Sequence, residues 1–181
     1  MHDFISAHLV HVVAVLAILS RLADVGTTYL VSPTLKLEAN SIVRRYRWKY
    51  AALTVLAGLA PYYSIPFGIV IMTVSFFVAA SNATKILLAR ALGEEALAKL
   101  SRQVILAAPP NLGWIYLLMP AALFSIPGWV LLMFYPSPTE WAYYFAEGII
   151  VYSSAIAFWG LVRYASIRKE GGSLTPATGQ P

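Results

Sequence analysis

Arg21, Asp24 and Thr28 stand at helical spacing, and Glu38, Asn40, Arg44, Arg45, Arg47 and Lys49 follow shortly after. A carboxylate beside arginines can act as a general base or metal ligand next to a phosphate clamp, because the guanidinium fork matches phosphate oxygens. Asp24 and Thr28 share one helix face, and Arg21 lies three residues before Asp24, where the two can pair. Four cations in the first turns of the next helix oppose the partial positive charge that a helix N-terminus already carries. An anion is therefore expected nearby: Glu38, Asp24, a phospholipid phosphate, or the phosphate or carboxylate of a small ligand. The plainer reading gives Arg21 to Asp24, lets Glu38 and Asn40 settle the start of the helix, and anchors the arginines in lipid. Where the cluster holds a ligand, the expected binding site at the cytoplasmic interface is Arg21, Asp24, Thr28, Glu38, Asn40, Arg44 and Arg45.

A second polar group comprises His8, His11 and Glu147. At about 1.5 Å per residue, His11 and Glu147 both fall roughly 10 Å inside their helices, at a depth where they can pair. An interhelical hydrogen bond is the expected role, because two histidines and one distant carboxylate fall short of a metal-ligand set. Asp24 points about 140° away from His11 around the same helix, so the two groups form no continuous polar stripe. No metal or cofactor is assigned. The chain has no phosphate-binding Gly-rich loop ending in Lys and Ser or Thr, no His-Glu-x-x-His, no Gly-x-Ser-x-Gly and no dinucleotide fingerprint. With no Cys it has no disulfide, thiolate metal site or cysteine nucleophile.

The elements that carry these residues are apolar. Of 181 residues, 59% are hydrophobic and only 12% charged, against roughly 25% charged in soluble domains; the mean hydropathy is +0.69. The apolar residues gather into runs of the length a bilayer requires. The expected fold is all-α: a polytopic membrane domain over residues 1–168, with about five spans at 4–29, 41–60, 67–88, 111–134 and 141–162. Residues 91–108 alternate as an amphipathic helix suited to the membrane surface, with Ala96, Leu97, Leu100 and Val104 on one side and Glu94, Glu95, Lys99, Arg102 and Gln103 on the other. Pro61 to Pro66 reads as an interfacial turn, Pro120 and Pro127-Gly128 as a kink, and residues 169–181 as a disordered cytoplasmic tail. The first apolar run lacks a basic leader and exceeds the roughly 7 to 15 residues of a signal core, so it is expected to stay in the mature protein.

The net charge of +5 is spread over residues that flank the apolar spans. Anionic lipid is thus the expected counter-charge, and a nucleic-acid role is set aside. All 13 Lys and Arg lie at or after the end of the first, third or fifth apolar run, the first of which ends at about Leu22. The positive-inside rule then puts the N-terminus out and the C-terminus in the cytoplasm of a bacterial-type inner membrane. The functional expectation is a non-enzymatic protein, self-associating or an accessory subunit of a larger complex, whose basic side grips anionic lipid or a partner. Two alternatives stay open: an enzyme acting on a phosphate-bearing lipid headgroup, with Asp24 or Glu38 as base, and a small transporter or channel lined by His11, Glu147 and the kinked fourth span.

Overall fold

The computed structural model describes residues 2–38 and 40–172. Among these there is no strand. Six α-helices, α1 (His2–Val31), α2 (Ser41–Thr54), α3 (Ile65–Leu92), α4 (Glu94–Ala107), α5 (Pro110–Phe134) and α6 (Trp141–Gly172), are joined by short links, with a 3₁₀ helix (Val55–Tyr62) between α2 and α3. The fold is all-α. The stretches His8–Val31, Ile65–Leu92, Asn111–Phe134 and Trp141–Glu170 are each long and apolar enough to cross a bilayer. Leu19, Phe76, Leu123, Trp129 and Phe158 lie on the outside of the bundle, an arrangement that hydrocarbon accommodates and water does not. The protein is a helical, multi-pass membrane protein.

Local chemistry sets the ends of these helices. The Ser32 N–H still donates to the Thr28 carbonyl at 2.8 Å before Pro33 stops α1. Asn40 caps α2, its side chain accepting from the Ile42 and Val43 N–H groups at 2.9 and 3.5 Å. Ser64 caps α3 by accepting from the Phe67 N–H, with Pro66 in the first turn. Gly93, at φ 79°, separates α3 from α4, a left-handed position at which glycine carries no steric penalty.

Three expectations change in detail. Residues 41–60 do not form one continuous helix: α2 is broken at Arg47, which adopts φ 54° and ψ −149°, and the chain then tightens into the 3₁₀ helix. That backbone costs a non-glycine residue about 1–3 kcal/mol. Pro61 lies inside the 3₁₀ helix rather than opening a turn, which leaves Tyr63 and Ser64 as the link to α3. The expected span over 111–134 is present as the single helix α5, which carries both Pro120 and Pro127. At the other end of the chain, α6 carries residues 169–172 in helix, and residues 173–181 lie outside the described residues.

The helices pack in a fixed sense. Arg21 meets Ser75 and Thr28 meets Asn82, the same separation of 54 residues in both pairs, so α1 and α3 run parallel. Thr73 against Gly148 and Phe77 against Tyr152 likewise make α3 and α6 parallel. Helix α5 runs the opposite way along α6, with Gly113 against Tyr164 and Gly128 against Ile150. Because α1 and α3 are parallel neighbours, the chain between them must return along the full length of the pair. It does so beside α1: Trp48 lies against Tyr29, Thr54 against Arg21, Gly58 against Ile18 and Tyr62 against His11. With about 1.5 Å per residue to Thr54 and about 2.0 Å per residue in the 3₁₀ helix, Trp48 to Tyr62 reaches roughly 25 Å, close to the roughly 27 Å that α1 covers from His11 to Tyr29.

Close approach depends on small residues. A Cβ on Gly58 would stand 2.7 Å from Ile18 Cγ1 and 2.8 Å from its Cα, and one on Gly148 would stand 2.6 Å from Thr73 Cβ. The resulting core includes Val13, Ala17, Ile69 and Met72, with Tyr144 of α6 packed against it. Gly148→Leu is expected to force α3 and α6 apart and lower stability by about 1–3 kcal/mol, read as a fall in melting temperature in detergent. Gly26→Ala, at a position with nothing within 4 Å, should change little or raise stability slightly; equal melting of the two variants would refute this packing.

Candidate functional site

Helix α1 continues to Val31, which places Arg21 about 15 Å, ten residues, from the end of the helix rather than at its edge. A guanidinium at that depth must be answered by neighbours. Its Nη1 bonds Asp24 Oδ2 at 2.6 Å and donates to Ser75 Oγ at 3.2 Å. Its Nε donates to the Thr54 carbonyl at 3.2 Å, and its Nη2 to Thr54 Oγ1. One side chain thus ties α1 to α3 and to the junction of α2 with the 3₁₀ helix. Arg21 and Asp24 expose only 16% and 12% of their side chains, so the pair is largely withdrawn from its surroundings.

The polar chain continues towards the end at which α1 stops. Asp24 also takes a hydrogen bond from Thr28, whose Oγ1 accepts from Asn82 Nδ2 at 2.9 Å. Glu38 lies within electrostatic reach of Asp24, Lys85 and Arg163. Its Oε1 accepts from the Asn40 N–H at 2.8 Å. Arg163 of α6 donates to the Leu37 carbonyl at 2.5 Å and lies near Arg44. The structure therefore brings Arg21, Asp24, Thr28, Glu38 and Arg44 into one region, with Asn40 serving as the cap of α2. Arg45 is exposed, its guanidinium 5.8 Å from the Tyr46 ring centre. Thr54, Ser75, Asn82, Lys85 and Arg163 complete the cluster. Sequence reasoning missed them as partners, although Asn82 inside an apolar span was a visible signal.

A second node, also missed, lies at Glu94. Its carboxylate accepts from the Ser32 and Thr34 hydroxyls and from the backbone N–H groups of Thr34 and Lys36, the last at 2.8 Å. Sequence periodicity assigns Glu94 to a solvated face; instead it docks α4 onto the turn after α1. Leu97 is the α4 residue buried beneath, against Val31 and Ala89, while Leu100 and Val104 stay exposed. Farther along, Arg168 of α6 donates to the Leu106 and Ala108 carbonyls at the end of α4, and Arg102 pairs with Glu170 at 2.9 Å. Burial by itself would raise the Glu94 carboxyl. The four hydrogen bonds outweigh it and hold the group below its ordinary value of 4.5.

The group of His11 and Glu147 does not assemble as one site. His11 Nδ1 lies 3.0 Å from Tyr62 Oη, with the rings edge to face, and Glu147 takes a hydrogen bond from Tyr143 one turn before it. Helix α3 packs against both α1 and α6, and His11 faces the 3₁₀ helix. His8 is exposed at the same end of α1. Comparison with protein-family models, curated proteins and solved structures finds no match to this chain.

Chemically, Asp24 is engaged by Arg21 and Thr28, and the Arg21 fork is spread over three elements. That arrangement makes a brace. Asp24→Asn leaves the guanidinium without its counter-charge and is expected to cost about 3–5 kcal/mol, measured by unfolding in detergent. The double variant Arg21→Met with Asp24→Leu should be less damaged than Asp24→Asn alone, and native stability in Asp24→Asn would refute the brace. Because the folded Glu94 carboxyl is more acidic than its ordinary value, it stabilises the docking of α4 above pH 4.5 and loses that contribution as pH falls below it. Spin labels at Gln103→Cys and Ala165→Cys should give a narrow distance distribution that broadens on acidification. With Glu94→Gln added, the distribution should already be broad at neutral pH; pH-independent distances in the parent protein would contradict this.

Proposed function

We propose that this chain is a five-pass inner-membrane protein with its N-terminus outside and its basic end in the cytoplasm. On this reading it acts without catalysis, as a self-associating protein or accessory subunit that holds anionic lipid or a partner on that basic side. The observation that carries the reading is charge separation along the bundle. Because α1, α3 and α6 run parallel, all 13 Lys and Arg except Arg21 fall at or near the end where these helices finish, while Glu140 and Glu147 fall near the opposite end. Exposed Arg44, Arg45, Arg47 and Lys49 would meet a negative leaflet at about 1 kcal/mol each. The return of the chain from Trp48 to Tyr62 supports the fifth crossing, since its reach matches that of the helix beside it.

The hydrogen bonding of Asp24 and Glu38 favours this reading over the enzymatic one, because both carboxylates are occupied by the protein's own donors. The separate partners of His11 and Glu147 remove the main support for a transport path between them. Topology provides the test. With an otherwise Cys-free chain, Tyr63→Cys, at a position 94% exposed, should react with an impermeant maleimide in intact cells. Lys99→Cys should react only after the membrane is opened. Labelling of both from the same side would sink the five-pass arrangement.

A further inference from the structure

Away from the Arg21 brace, the turn after α1 and the broken turn of α2 border an open cavity of about 520 Å³ lined by Pro33, Thr34, Leu35, Lys36, Arg47 and Trp48. Three observations meet there. Leu35 and Arg47, at φ 61° and 54°, are the non-glycine residues with positive φ among the described residues, and both line this cavity. Such strain persists only where surrounding structure imposes it, and it concentrates at ligand sites. A glycine would adopt the Arg47 backbone freely, yet the position carries a guanidinium that has no hydrogen-bond or ion-pair partner among the described residues. Lys36 adds a second cation, half exposed and 3.6 Å from Glu95; Glu94 and Glu95 border this lining without belonging to it, and Arg47 carries the positive charge that no carboxylate pairs. Trp48 makes a fixed wall: its indole N–H donates to the Pro33 carbonyl at 2.9 Å, and its ring meets Tyr29 edge to face at 5.3 Å. Tryptophan so placed marks the headgroup level of a bilayer.

We propose that this cavity binds one phosphate oxyanion, presented by an anionic lipid headgroup or as free phosphate. Arg47 supplies the fork and Lys36 the second charge. The inference rests on the reading of the basic end as a lipid-facing surface and moves the phosphate contact from Arg44 and Arg45 to Arg47.

Native mass spectrometry of the full chain in neutral detergent tests it, with phosphatidylglycerol, a diacylglycerol of the same acyl chains, and inorganic phosphate as probes. One phosphatidylglycerol should be retained and diacylglycerol should not. Arg47→Gly should weaken that first phosphatidylglycerol by about tenfold while melting no lower than the parent protein, and Arg47→Lys should fall between. Displacement by inorganic phosphate identifies the free oxyanion as sufficient, whereas retention against it identifies the lipid as the source; either result supports a phosphate site. If Arg47→Gly and Lys36→Ala both bind phosphatidylglycerol within about twofold of the parent, the proposal is overturned. In that case Arg44→Ala with Arg45→Ala decides the wider reading: lost binding there retains the lipid-facing surface, and unchanged binding removes it as well.

Discussion

A guanidinium half-way along an apolar helix is the constraint from which much of this architecture follows. Left alone in hydrocarbon, Arg21 would carry a large penalty. Its pairing with Asp24, Thr54 and Ser75 fixes three separate segments around one point. The returning segment Ser41–Tyr62 is broken at Arg47 and finished as a 3₁₀ helix. Its Thr54 is held by the guanidinium and its Gly58 by close approach to Ile18. Below Arg21, the sequence Asp24, Thr28 and Asn82 extends the polar contact one further turn, so α1 and α3 cannot slide past each other without breaking it.

The basic end is organised by a different principle, the satisfaction of exposed helix termini. Glu94 gathers donors from the turn that follows α1, while Arg168 supplies donors to the last carbonyls of α4. Helix α4 is therefore fastened at both ends by charged side chains and buries Leu97 between them. Its remaining apolar residues, Leu100 and Val104, face outward, the arrangement expected of a helix resting on lipid.

Fold class was legible in the sequence because hydrocarbon thickness and backbone satisfaction leave a chain this apolar few alternatives. The ends of α1, α2 and α3 were legible from Pro33, Asn40 and Pro66, whose effects are local. The pairing of Arg21 with Asp24 was legible for the same reason. What could not be read was anything decided between elements. Serine, threonine and asparagine at positions 54, 75 and 82 look like tolerated polar residues until packing brings them to Arg21 and Thr28. Glu94 looked solvated because periodicity describes one helix and says nothing of the turn that receives it. The break at Arg47 had no local signal either, since no glycine or proline marks it.

The distances along the chain between Arg21 and its partners impose an order on biosynthesis. Asp24 is three residues away, whereas Thr54 and Ser75 are 33 and 54 residues further on. At a ribosomal pace of about 5–20 residues per second, several seconds pass before the later donors and acceptors emerge. During that interval the aspartate one turn away is the nearest counter-ion the nascent helix can offer. Asp24 is thus the one partner of Arg21 that is already in place when the first helix alone has been made.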